Sequence, residues 1–388
     1  MQGAHVDHIA IIGCGQLARM MALEGLPLGI SFSFVAQAEE STRAVAGLGA
    51  VCEWVPGMDS AALYAALGRP DVVTVEKEQV DTGMLRGLEA FCQVLPNGEA
   101  LYQCQNRLRQ KALLEAVGLP CTPYMPLAVE QDLRLAVQRF GLPLVIKHTE
   151  HGYDGKSQWL LRSDEDCDQW VAQYMDAKDQ SEVDGSGGDV SGRWLVERCM
   201  PFDRELSFLA VRGRDGSVRF YPPTQNQHRH SVLISSLAPA PDISEALRTE
   251  GQDGLGRLLS TTDYVGVMAM ECFDVGGQLW VNELAPRVHN SGHWTQRASL
   301  TSQFENHLRA IAGWPLGSTE LEGGAAMLNL LGVPLDQAAM LRDGGCLNWY
   351  NKEVRPGRKV GHINIHDSNP QAAHARLSRL QEVIYGSI

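Results

Sequence analysis

The run GVMAMECFDVGGQLWVNELAPR, residues 266–287, constrains this chain more than any other stretch. Two apolar segments flank Gly276-Gly277, a pair that turns tightly because neither residue carries a Cβ. The run therefore predicts a long β-hairpin with one acid, Glu271 or Glu283, on each facing arm. Carboxylates converging in an apolar setting are costly unless a cation neutralises them. Magnesium binds carboxylate oxygens together with nucleotide phosphates, and the hairpin supplies the first of these. The alternative is that one or both acids turn outward to solvent. Just past the hairpin the hydrophobic pattern stops, and Arg287, His289, Asn290, Ser291 and His293 follow in one short run.

The rest of the chain predicts α/β organisation. HIAIIGCGQLARMMALEGLPLGISFSFVA reads as strand, Gly-rich turn, helix and second strand, and DVVTVEKEQV as a further strand, Val72 to Val75, ending in Glu76 and Glu78. Strands alternating with helices imply a parallel sheet with ligands at the carboxyl ends of its strands. VGLPCTPYMPL, residues 117–127, has three prolines and reads as a domain linker. A helix over 130–140 follows, then LPLVIKH as a strand, the polar loop TEHGYDGKS, and QWLLR as its hairpin partner. Residues 163–177 read as helix, and 176–192, polar and rich in Gly and Ser, as a mobile surface loop. RWLVERCM and RELSFLAVRG alternate as strands do, GRDGS is a hairpin turn, and TSQFENHLRAIAGWPL is a helix. The tail NWYNKEVRPGRKVGHINIHD is basic in its middle. A length of 388 residues exceeds one compact core, so two or three domains are expected.

The formal net charge is −13, which repels nucleic-acid phosphates in bulk, so no nucleic-acid partner is expected. Any anionic small ligand must be held by a local cluster of Arg and Lys. Nine scattered cysteines without a C-x-x-C pair argue for reduced thiols and a cytoplasmic address. MQGAHVDHIAIIG has no signal-peptide pattern, and no run of about 18 apolar residues suggests a membrane span.

Several smaller motifs carry chemistry. Gly13-x-Gly15 opens a helix, with Ala18 at the third glycine position of a dinucleotide fingerprint, but Ala36 and Gln37 stand where a ribose-binding acid belongs. Three readings stay open there: a nicotinamide site, a purely structural turn, or another phosphate at the helix amino terminus. Lys147 ends an apolar strand, where it either reaches phosphate oxygens or emerges into water. The glycines of GYDGKS leave a hairpin whose amides can close over phosphates. Glu197 and Glu205 could accept from ribose or an adenine amino group; a salt bridge to Arg198 or Arg204 is the simpler account of either alone. Histidines and cysteines fit no metal cage, and no G-x-S-x-G elbow exists.

Taken in order, GCGQLARM, DVVTVEKEQV, HGYDGKSQW, GVMAMECF, NELAPRVHNSGHWT and VRPGRKVGHIN resemble the ATP-grasp superfamily and, within it, the 5-(carboxyamino)imidazole ribonucleotide synthases of purine biosynthesis. They span residues 13 to 364. The resemblance implies a Rossmann-like parallel α/β domain over 1–117, a two-lobed α+β ATP-grasp domain over 118–315 with its lid lobe at about 118–200, and a small α+β domain over 316–388. It implies an ATP-dependent ligase that carboxylates 5-aminoimidazole ribonucleotide with bicarbonate, using ATP and Mg2+ and working as a homodimer. By the same resemblance Glu271 and Glu283 hold magnesium, and Arg107 and Lys147 contact the phosphates. Gly152, Tyr153, Asp154, Gly155, Lys156, Ser157 and Gln158 close over those phosphates. Glu197, Arg198, Cys199, Met200 and Glu205, with His228 nearby and Asn282 beside Glu283, complete the ATP site. Arg287, His289 and Asn290 hold bicarbonate or carboxyphosphate, while Tyr153 and Asp154 face the imidazole. The ribonucleotide's 5′-phosphate meets Gln16 and Leu17 with Lys352, Arg355 and Lys359, and Glu76 touches its ribose.

The departures from the family pattern are His151 and Ser157 in place of glycine, Asn106 in place of an acid before Arg107, and Ser231 in place of a common glycine. None removes a charge from the expected site. The rivals are another ATP-grasp carboxylate–amine ligase, a nicotinamide-dependent oxidoreductase, and a non-catalytic nucleotide-binding scaffold.

Overall fold

The computed structural model describes residues 5–150, 158–175 and 193–386. The expected phosphate loop Gly152 to Ser157 and the polar stretch 176–192 lie outside the described residues.

Five strands form the first sheet: β1 (His8–Ile12), β2 (Ser31–Ala36), β3 (Ala50–Glu53), β4 (Val72–Val75) and β5 (Gln93–Val94), in the order β3-β2-β1-β4-β5. All neighbours are parallel. Ile9, Ile11 and Ile12 are wholly buried, because helices cover both faces of such a sheet. Strand order reverses between β1 and β4, which opens a crevice at their carboxyl ends.

A second, antiparallel sheet contains β6 (Tyr124–Leu127), β7 (Leu144–His148), β8 (Gln158–Leu161) and β9 (Trp194–Arg198), in the order β6-β9-β7-β8. Helices Glu130–Phe140 and Asp164–Tyr174 cover it through Leu133, Ala136, Trp170 and Val171. The stretch 117–127 is therefore not a plain linker. Its second half is β6, an edge strand, where Pro126 is tolerated because the missing N–H is needed by no neighbour on the open side. Its first half is pinned too: the Val281 amide donates to the Pro120 carbonyl at 2.8 Å.

The third sheet comprises β10 (Arg204–Arg212), β11 (Val218–Phe220), β12 (Thr224–Arg229), β13 (Val232–Ala238), β14 (Gly266–Val275), β15 (Gln278–Ala285), β16 (Gly324–Leu331), β17 (Cys346–Trp349) and β18 (Lys359–Asp367). Its path is β15-β14-β10-β12-β13-β16-β18-β17, with β11 paired to β10. The carboxy-terminal strands thus extend the sheet that holds the predicted hairpin, and helix Pro370–Tyr385 covers them. Helix Gln303–Ala312 packs between this sheet and helix Gln16–Gly25, so Phe304, Leu308 and Ile311 share one core with Leu17, Met20 and Met21. That core fixes the first sheet's crevice against the hairpin. Among the described residues no helix is long and apolar enough to cross a membrane.

Candidate active site

Every predicted site residue among the described ones lines one continuous cleft of about 2320 Å³, bounded by all three sheets. At its centre Glu271 of β14 and Glu283 of β15 are register partners, so both side chains leave the same face of the hairpin. The outward-facing alternative does not hold. Between them and the next pair the register slips: Cys272 faces Val281, which leaves Asn282 as the extra residue of a β-bulge. A bulge re-aims a side chain. Here it brings Asn282 into the cleft, where its Oδ1 accepts from Lys147 Nζ at 3.0 Å.

Like charges directly opposite each other repel, and each acid has its own partner. Arg107 Nη1 lies 2.8 Å from Glu283 Oε2, and His289 Nε2 lies 3.0 Å from Glu271 Oε1. The Ser291 amide donates to His289 Nδ1 at 3.3 Å. A backbone N–H can only donate, so Nδ1 is the acceptor and Nε2 carries the hydrogen directed at Glu271. Burial alone would raise the Glu271 carboxyl, but the hydrogen bond from His289 outweighs it and holds it at about 2.

Arg287 forks onto Glu78, just beyond β4, with Nε at 2.5 Å from Oε2 and Nη2 at 3.4 Å from Oε1. Burial raises the Glu78 carboxyl and Arg287 pulls it down further, for a net lowering. Lys147 does not emerge into water: it is buried, with Nζ 2.6 Å from Glu197 Oε2. Lys111, which no sequence motif singles out, lies 2.8 Å from the other oxygen of Glu197 and is itself buried. Burial opposes ionisation of Glu197, yet the two ammonium groups keep it well below the usual carboxylate range. The pairing of Glu197 or Glu205 with Arg198 or Arg204 is not found. Glu205 bonds His228, Arg204 bonds Asp274, and Arg198 is exposed. Burial lowers the His228 imidazole, but Glu205 outweighs it and raises it. Cys199 and Met200 follow on the same cleft wall, and Gln158 of β8 reaches Ser231 across it. Asn290 exchanges two amide hydrogen bonds with Asn329 of β16, at 3.0 and 2.7 Å.

At the crevice end, the Glu76 carboxylate sits over the first helix. It accepts from the amides of Gly15 and, at 2.9 Å, Ala18. Glu40 accepts from the Cys14 amide at 3.0 Å. Carboxylates thus occupy the donors that would cradle a pyrophosphate, which removes the physical basis of the nicotinamide reading. They also explain the glycines: a Cβ on Gly13 or Gly15 would stand 2.4 or 2.7 Å from Glu76 atoms. Glu76, which the resemblance puts at a ribose, also caps helix Gln16–Gly25. Burial raises its carboxyl, and the two amides offset this only in part. Lys352 donates to Gln16, so tail and first helix do meet. Arg355, paired with Glu353 at 2.6 Å, and Lys359 line the same cleft, and Lys359 lies within electrostatic reach of Glu271 and His228.

The chain matches three family models in succession: a ribonucleotide synthetase preATP-grasp domain over residues 6–105, an ATP-grasp domain over 112–304, and a phosphoribosylaminoimidazole carboxylase C-terminal domain over 325–376. It is 38% identical over 383 residues to the N5-carboxyaminoimidazole ribonucleotide synthase of Vibrio parahaemolyticus, covering 97% of this chain and 95% of that one. Its fold is similar to that of the N5-carboxyaminoimidazole ribonucleotide synthetase from Thermus thermophilus, with a TM-score of 0.86, 40% identity, and 97% and 98% of the two chains covered. It is also similar to the N5-carboxyaminoimidazole synthase from Aspergillus clavatus, solved in complex with ADP and 5-aminoimidazole ribonucleotide, with a TM-score of 0.84, 25% identity and 98% of each chain covered. With relatives of this identity spanning nearly its whole length, and with three family models matching it in succession, the chain belongs to the N5-carboxyaminoimidazole ribonucleotide synthase family of ATP-grasp enzymes.

Proposed function

We propose that this cleft carboxylates 5-aminoimidazole ribonucleotide with bicarbonate at the expense of ATP, by way of carboxyphosphate, giving 5-(carboxyamino)imidazole ribonucleotide, ADP and phosphate in de novo purine biosynthesis. The observation that carries this reading is the opposed pair Glu271 and Glu283 with Arg287 and His289 from the segment that follows, all on one cleft. Family membership and the ligands of the Aspergillus clavatus relative support it.

The donor set fits Mg2+. Two hard carboxylate oxygen donors share one hairpin face, and among the described residues no cluster of three or more His, Cys, Asp or Glu side chains competes for a metal. Magnesium keeps water and phosphate oxygens in its remaining positions, so two carboxylates suffice. When bound with ATP, the ion would neutralise charge on the β- and γ-phosphates.

Bicarbonate is a poor electrophile because oxygens surround its carbon, and phosphorylating one of them creates a leaving group. The residues must hold the anion beside the γ-phosphate and keep water away. Arg107 and Lys147 would meet the phosphates, with Gly152 to Gln158 closing over them. Glu197, Arg198, Cys199, Met200 and Glu205 would hold adenosine beside His228. Arg287, oriented by Glu78, presents a planar fork to a three-oxygen anion. His289 and Asn290 would complete that pocket, and the family resemblance assigns Tyr153 and Asp154, outside the described residues, to the imidazole whose amino group attacks. The amides of Gln16 and Leu17, with Lys352, Arg355 and Lys359, would take the 5′-phosphate. Glu76 already spans the two neighbouring amides, so any ribose contact must be made from that position.

The same reading includes a homodimer, which sedimentation tests, and a cytoplasmic address, which nine unpaired cysteines support. An ADP-release assay with ATP, bicarbonate and 5-aminoimidazole ribonucleotide omitted in turn tests the reaction. Full release is expected only with all three present. Full release without bicarbonate would contradict the reading.

A further inference from the structure

Gln303 is the first residue of helix Gln303–Ala312, and none of it is exposed. Its side-chain amide pairs with the backbone of His289 in both directions. The His289 N–H donates to Oε1 at 2.8 Å, and Nε2 donates to the His289 carbonyl at 2.6 Å. This gives a loop residue the two-point pairing that a strand neighbour would otherwise provide. Nε2 also lies 3.2 Å from His293 Nδ1. The Gln303 amide donates to Thr295 Oγ1 at 3.0 Å, and that hydroxyl donates to the Gly292 carbonyl at 2.6 Å.

Gly292 records the same arrangement. A Cβ there would stand 2.2 Å from Leu209 and 2.9 Å from Gln303, so the chain passes too close to the glutamine for any side chain. A second buried glutamine does the same a few residues earlier in the segment. Gln110 accepts from the Leu284 amide at 2.9 Å and donates to the Leu284 carbonyl at 3.1 Å. The segment joining Glu283 to His289 is therefore gripped at both ends by buried glutamine side chains.

We infer that Gln303 is a positioning residue for bicarbonate capture: it fixes the His289 backbone so that the Nε2 hydrogen stays aimed into the cleft beside Glu271. This rests on the reading of His289 as a bicarbonate contact. Replacing Gln303 with leucine removes both backbone bonds, and His289 loses its fixed aim while the hairpin acids stay in place.

Gln303→Leu and the isosteric Gln303→Glu, which keeps the Oε1 acceptor and serves if the first does not fold, test it in the full chain. ADP release is measured with each substrate varied in turn, and ADP binding by titration. The bicarbonate KM is expected to rise about 10-fold or more, with the ADP Kd and the KM for ATP within about 2-fold of wild type. In a His289→Ala background Gln303→Leu is expected to add nothing further, because its effect passes through that side chain. An unchanged bicarbonate KM in a folded variant, a parallel rise in ADP Kd, or full additivity with His289→Ala would overturn the inference. Wild-type enzyme that releases ADP without needing bicarbonate would instead overturn the underlying reading, so the two failures are distinguishable.

Discussion

The two ends of the cleft use glutamate in opposite ways. On the hairpin, Glu271 and Glu283 are answered by side chains, His289 and Arg107. At the first helix, Glu76 is answered by the backbone amides of Gly15 and Ala18. Burial pushes both Glu271 and Glu76 toward the protonated form; the His289 hydrogen bond overturns that push at Glu271, and the amides do not overturn it at Glu76. A long side-chain partner such as Arg107 can swing to a ligand and leave its carboxylate to a metal, whereas amides fixed in a helix cannot. The proposed metal role of the hairpin pair therefore calls for a partner that can leave, whereas Glu76 holds the turn.

The sharpest way to break this comparison is Glu283→Gln. It keeps the shape and removes the charge, and turnover should fall by about 10³-fold, the scale of losing one preorganised electrostatic partner. Thermal melting should move by only a few degrees, roughly 1 kcal/mol of stability. Retained turnover would place the metal elsewhere. Arg287→Ala should lower kcat/KM for bicarbonate by about 10²-fold and leave ADP affinity within about 2-fold. Glu78→Gln should shift the same constant in the same direction by less, because the guanidinium remains and loses only the carboxylate that orients it. Near wild-type bicarbonate kinetics in Arg287→Ala would remove that residue from the anion site.

At the other end the expected effects are on stability. Gly13→Ala forces a Cβ to 2.4 Å from Glu76 at a φ of +115°, and should cost about 1–3 kcal/mol in denaturant unfolding. The smallest effect is a pH dependence. A carboxyl raised above its ordinary value of 4.5, as Glu76 is, binds more protons folded than unfolded, so its contribution is full below that value and declines as pH rises toward the folded value. Glu271 has the opposite sign: its contribution is present above 4.5 and is lost as pH falls toward about 2. Compared from about pH 4 to 8, the melting temperature of wild type should fall relative to that of Glu76→Gln as pH rises if Glu76 behaves as argued. A constant difference would show that Glu76 does not titrate in that range.

What the sequence revealed, and what it hid, follows from where each constraint originates. The parallel sheet and the hairpin were legible because their apolar runs and the Gly276-Gly277 turn are local signals. The opposition of Glu271 and Glu283 followed from the hairpin. The bulge at Asn282 did not, since register arises only when two strands pair. Lys111 sits among polar neighbours in RLRQKALL and reads as a solvated helix face; packing against β15 buries it beside Glu197. Glu78 was visible as an acid ending a strand, but its partner Arg287 lies 209 residues away. Tyr124–Leu127 was hidden by its prolines, which an edge strand tolerates. Gln303 carries no signal in the sequence, because a buried glutamine at a helix start looks like any exposed one.

The most direct measurement is the anomalous scattering of Mn2+ in crystals soaked with that ion and ADP. The predicted result is manganese bound by the carboxylates of both Glu271 and Glu283 beside the nucleotide's β-phosphate, with Arg107 turned from Glu283 toward the phosphate. Manganese at another site, or Glu283 still paired with Arg107 while the nucleotide is bound, would contradict the account.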